Sequence, residues 1–275
     1  MPQPRPIAGI ALPTLAQKCL ALIDSAHMAA TYKLAAFSAI LDVTIEGVDR
    51  RGRPPRDLQV CLIGRAALER YWPQAVHYQG GLHLSQSTQR SDILKKIADF
   101  RRFHHLAQPS IRLKQAEQRF PSEFAKLERD CSLTIANMPL RLLQRFGEGS
   151  RAREDAFLYT RSWKAPTLGA RDLRSATLRL ERGVGIGLIR LAPLLRTHLE
   201  VQWTRWVSEH NATRVPHSDV YGYLFGAERS AVAALAKVLL PLQKGRCFYC
   251  GGAVMAARAH VDHVLPWSIS RDDGL

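Results

Sequence analysis

Cys247 and Cys250 bracket Phe248 and Tyr249, and His260, Asp262 and His263 follow within the next few turns of chain. Two thiols two residues apart have the spacing of half a tetrahedral zinc site, which needs two further Cys or His ligands to close. Gly251 and Gly252 come directly after and permit the reverse turn such a knuckle requires. The same pair could instead be a redox couple or two incidental thiols in a hairpin, although no thioredoxin-like strand-helix-strand pattern surrounds it.

Residues 261–264 form a short β-prone run, so side chains alternate: His260 and Asp262 share one face, Val261 and His263 the other. Phosphodiester hydrolysis suits this division. A base must reach the attacking water while an oxygen-ligated cation neutralises charge developing on the phosphate. His263, with an ordinary pKa of about 6.5, can take a proton from water at neutral pH. Asp262 is a hard carboxylate suited to Mg²⁺ or a similar divalent ion. An Asp-His pair alone is more often structural than catalytic; its position after the cysteine pair and before Pro266, Trp267 and Ser268 is what raises the catalytic reading.

Together these residues resemble the HNH endonucleases of the ββα-metal type. The resemblance extends loosely through residues 32–42, Tyr71-Trp72-Pro73-Gln74, Gln86-Ser87-Thr88-Gln89 with Ile93, Phe100-Arg101, residues 203–211, Leu224-Phe225-Gly226, and residues 243–250. It implies that Asp262 binds the catalytic metal, that His263 is the general base, and that Cys247 and Cys250 ligate a structural Zn²⁺. It also implies a downstream Asn and a closing helix with the remaining ligands. Neither lies before Leu275, so the resemblance leads one to expect a motif cut short and a chain that cleaves poorly. A role in restriction, phage defence or mobile elements would follow from the family alone.

The elements that position these residues are mostly helical. Apolar residues recur at helical spacing over 15–30, 32–45, 58–71 and 91–103, with long and short helices expected at 188–209 and 230–240, the latter capped by Ser230. Gly183, Gly185 and Gly187 lack the dinucleotide-loop spacing and read as a turn opening the 188–209 helix, whose stripe of Leu191, Leu194, Leu195, Leu199, Trp203 and Trp206 reads as core, with Pro193 a source of kinking. Residues 157–160 and 177–180 are candidate strands, and 211–218 a loop. The fold class is therefore mainly α: a Pro-rich tail over 1–13, a helical region over 14–225, and an incomplete ββα-metal (HNH) zinc-knuckle unit over 226–275.

Across 275 residues, 39 Lys and Arg stand against 24 Asp and Glu, a formal charge of +15 with pI near 10.1. Such an excess points to a polyanionic partner, DNA in the first instance. Arg101, Arg102, Arg112, Lys114, Arg119, Lys126, Arg129, Arg141, Arg145, Arg151 and Arg153 crowd one stretch and are the candidate phosphate-facing surface. With 46% hydrophobic residues the chain is a folded one. No apolar run has the length of a membrane span or a secretory core, and a reducing cytoplasm is expected. Cys19, Cys61 and Cys131 read as free buried thiols. The alternative to a nuclease is a non-catalytic, basic nucleic-acid-binding protein with a structural zinc knuckle.

Overall fold

The computed structural model describes residues 9–24, 30–78, 84–88, 92–106, 108, 111–146, 153–212, 220–226, 236–248 and 250–255. The chain divides into two compact units, Met1–Val220 and Tyr221–Leu275.

The first unit is mainly helical. Its elements are α1 (Leu12–Asp24), α2 (Tyr32–Glu46), β1 (Asp57–Gln59), α3 (Val60–Tyr71), a 3₁₀ turn at Pro73–Ala75, α4 (Asp92–Phe103), α5 (Leu113–Arg119), α6 (Pro121–Asn137) and α7 (Pro139–Leu142). There follow β2 (Arg145–Phe146), β3 (Arg153–Glu154), β4 (Tyr159–Arg161), β5 (Thr177–Leu180) and α8 (Val184–His210). α2 occupies the centre. Its Leu34, Phe37, Ile40 and Leu41 are fully buried, and the small Ala35, Ala36 and Ala39 between them let α3 and α8 pack closely on it. α1 lies on α8, and α6 covers α3.

One small antiparallel sheet has the order β1-β5-β4, pairing Leu58 with Leu178 and Tyr159 with Leu180. A second, two-stranded ribbon pairs β2 with β3.

Two helix starts expected from the sequence shift in the structure. The segment expected to be helical from residue 58 opens as strand β1, because Leu58 and Gln59 are drawn into pairing with β5 before the helix begins at Val60. α8 starts at Val184, so Gly185 and Gly187 lie inside the helix instead of in a turn before it. Packing explains the second change: a Cβ on Gly187 would stand 2.3 Å from Leu15 Cδ2, so glycine is what allows α1 to approach. Within α8, Leu195, Leu199 and Trp203 are buried, but Leu194 is 51% exposed and lies off the core face. Cys19 and Cys131 are buried, whereas Cys61 is only half-buried and its thiol donates to Gln59 Oε1. Ser230 lies outside the described residues.

Two polar clusters sit within this apolar packing. Asp42 on α2 is 3% exposed and receives Arg70 from α3 at 2.8 Å and Arg196 from α8 at 2.9 Å, one guanidinium on each oxygen. The second cluster centres on Gln86. Its Oε1 accepts from Thr31 Oγ1 at 2.8 Å and Trp203 Nε1 at 2.7 Å, while its amide nitrogen donates to Gln74. Thr31 has a single hydroxyl proton, so Tyr71 OH, 2.8 Å away, is the donor of their shared bond. Asn211 completes the arrangement by exchanging two hydrogen bonds with the backbone of Ser85.

In the second unit, a short π-helical segment at Gly222–Gly226 precedes α9 (Ala236–Leu242). α9 is closed by a 6→1 bond from Gly245 N to Leu240 O, with Lys244 and Gly245 both at positive φ.

Candidate functional site

The cysteine pair lies on a tight hairpin that begins where α9 ends. Arg246 and Ala253 form an antiparallel bridge, Cys247 N donates to Gly252 O at 2.7 Å, Gly251 N donates to Cys247 O at 2.8 Å, and Val254 N donates to Gly245 O at 2.8 Å. Arg246 ties the loop from the side through a 3.0 Å bond to Gly251 O. The turn needs glycine at 251, where φ is +68°. Cys247 is half-buried and Cys250 exposed. The Cys250 sulfur lies 3.4 Å from the point where a Cβ on Gly252 would stand, so the loop is closely wrapped around it.

Two thiols on a backbone-bonded turn fit half of a structural zinc site. Among the described residues, no group of three or more His, Cys, Asp or Glu side chains converges to complete it. His260, Asp262 and His263 lie outside the described residues, as does the β-prone run 261–264. The structure therefore describes the cysteine hairpin alone.

The expected phosphate-facing stretch divides sharply. Arg101 does not belong to it: at 2% exposure it is a core residue, its guanidinium 4.6 Å over the Trp72 ring and donating to Gln108 O at 2.7 Å. The last turn of α4 points it inward because Trp72 and the carbonyls around it satisfy a cation that water no longer reaches. Arg102, its neighbour, is exposed and paired with Asp99 at 2.7 Å. Arg112, Lys114, Arg119, Lys126 and Arg129 are exposed on α5 and α6 or beside them, and Arg145 and Arg153 are exposed on the β2–β3 ribbon. Arg151 lies outside the described residues.

No family model, curated protein or solved structure matches the chain. No helix among the described residues is long and apolar enough to cross a membrane.

The sequence did not foreshadow an open cleft of about 350 Å³ between the end of α2, β1 and α3, lined in part by Glu46, Asp57, Leu62, Arg65 and Glu69. Burial, with help from the neighbouring Asp42 and Glu69 charges, pushes the Glu46 carboxyl above its ordinary pKa. Arg65 is spent on Glu69, Glu117 and Glu128. A cleft walled by carboxylates repels phosphate, so it is no candidate for the chemistry expected of Asp262 and His263.

Proposed function

We propose that the protein is a metal-dependent HNH-type endonuclease that hydrolyses DNA phosphodiester bonds. The observation that carries the reading is the hairpin that presents Cys247 and Cys250 on a glycine-closed turn, with the Asp262-His263 pair following it in sequence. Cys247 and Cys250 would hold Zn²⁺ and brace the hairpin, and Asp262 would hold Mg²⁺ or a similar ion. That divalent ion, when bound, supplies positive charge against the phosphate as its negative charge grows. His263 accepts a proton from the attacking water. The basic helical body retains the DNA largely through its phosphates, without reading bases.

The test is plasmid nicking with Mg²⁺ or Mn²⁺ by the chain carried through to the stop codon of its reading frame, beside His263→Ala. Loss of nicking in the variant supports the nuclease; equal nicking in both, or none in either, removes it.

The alternative is a non-catalytic, basic nucleic-acid-binding protein in which the zinc knuckle is purely structural. It is favoured by the hairpin's own backbone bonding, which holds the turn that carries the two cysteines. Salt-sensitive DNA retention with no nicking is its signature.

A further inference from the structure

We propose that Arg141, Arg161 and Trp163 form a phosphate-binding site on the first unit, taking a backbone phosphate of nucleic acid. This rests on the reading of the basic body as the part that retains DNA.

Arg161 and Trp163 are neighbours at the end of β4, and Arg141 on α7 reaches the loop that follows that strand. Tyr159 and Arg161 share one face of β4, since side chains alternate along a strand. Tyr159 OH donates to Leu140 O at 2.8 Å, which turns that face toward α7. Arg161 is close enough to act electrostatically on the Tyr159 hydroxyl, whose pKa burial raises. Arg141, next to Leu140 on α7, reaches the following loop and donates to Pro166 O at 3.4 Å. The loop is fixed to the end of α6 by Asn137, which bonds both the N–H and the carbonyl of Leu168. Trp163 lies on this loop, with the Arg161 guanidinium 5.5 Å from its ring centre.

The cluster combines unspent donors with the absence of a carboxylate partner among the described residues. Arg141 Nε, Arg161 Nη1 and Trp163 Nε1 are buried without a hydrogen-bond acceptor. Among the described residues neither arginine has a carboxylate partner, whereas Arg65, Arg70 and Arg196 each have at least one. Glu154, the carboxylate that acts on Tyr159, is not ion-paired with Arg161. Buried N–H groups without acceptors are uncommon in folded proteins, and a bound anion is one partner that satisfies them. Two guanidinium forks and an indole N–H match a tetrahedral oxyanion, which offers several strong acceptors at once. The chain's charge of +15 favours nucleic acid over an acidic protein as its source.

The experiment has two arms on the full chain. In the first, a fluorescein-labelled DNA duplex is titrated by anisotropy at several salt concentrations against wild type and an Arg141→Gln/Arg161→Gln double variant. The expected result is binding about tenfold weaker, with the slope of log affinity against log salt reduced by roughly one. In the second, thermal melting is followed with inorganic phosphate against chloride at matched ionic strength. Phosphate should raise the melting temperature of wild type and not of the double variant. Trp163→Phe keeps the ring and removes only the unspent N–H, so it should lose the phosphate effect while melting at the wild-type temperature without phosphate. Equal salt slopes together with equal phosphate effects overturn the site, as does a Trp163→Phe protein that is destabilised without phosphate. Wild type that ignores DNA yet loses its phosphate effect in the variant keeps the oxyanion site and removes nucleic acid as its partner.

Discussion

Trp203 on α8 donates its indole N–H to Oε1 of Gln86 at 2.7 Å, across 117 positions of sequence, in a part of the core that water does not reach. The amide of Gln86 thereby joins α8 to Thr31 at the start of α2 and to Gln74 after α3. Gln86→Leu removes the buried acceptor of the Trp203 N–H and the buried donor to the Gln74 carbonyl. Each such removal costs about 1–3 kcal/mol, so the variant should lose roughly 2–4 kcal/mol in urea unfolding. A loss under 1 kcal/mol would mean that the cluster contributes little to stability.

Gly64 on α3 meets α6 at its closest point. A Cβ there would stand 2.0 Å from Ser132 Oγ and 2.5 Å from Ser132 Cα, a clash with backbone that no rotamer relieves. Gly64→Ala would ordinarily favour a helix interior, yet here it should destabilise by about 1–3 kcal/mol through overpacking. A variant as stable as wild type would show that α3 and α6 are not so tightly seated.

Glu46 provides a pH dependence of definite sign. Burial raises its carboxyl pKa in the folded state, so the folded chain holds a proton that the unfolded chain releases earlier. Stability from this group is therefore intact below the ordinary carboxylate pKa and declines as pH rises through it toward neutrality. Glu46→Gln should raise the melting temperature at neutral pH by about 1 °C at most, since the residue is exposed and water screens the effect, and leave it nearly unchanged at pH 4. A larger gain at acid pH than at neutral pH would contradict the assignment.

The thiols should separate by reactivity. Burial pushes the Cys19 thiol up to about 12, so it forms almost no thiolate at pH 8, whereas Cys250 is exposed. With a disulfide reagent in excess, Cys250 should react within the fast phase and Cys19 only on unfolding, read by mass mapping. Zn²⁺ should slow the reaction of Cys250, a chelator should restore it, and Cys247→Ser should abolish the protection. Protection of Cys250 that survives in Cys247→Ser would remove the paired-ligand reading.

Helical spacing is a local property, and it was legible. Tyr32–Glu46, Asp92–Phe103 and most of Val60–Tyr71 follow from where apolar residues fall along the chain. Strand pairing is not local: Leu58 and Gln59 fit the apolar spacing of the helix that follows, and only their pairing with Leu178 and Thr177 draws them out of it. α5, α6 and α7 were obscured for other reasons. In α5 and α6 charged residues are dense enough to mask the apolar anchors, such as Leu113, Phe124, Leu127 and Ile135, and α7 is a single turn too short to show a period.

The sequence by itself determined a mainly helical body, a strong positive charge and a cysteine pair at metal-ligand spacing, because each depends on residue type and short-range order alone. Only the tertiary structure decided what each cation does. Arg101 is enclosed by Trp72, Arg70 and Arg196 pair with Asp42, and Arg141 and Arg161 meet no carboxylate among the described residues. The physical reason is that a guanidinium's role is set by the acceptor it meets, and in a folded chain that acceptor, or its absence, comes from segments distant in sequence.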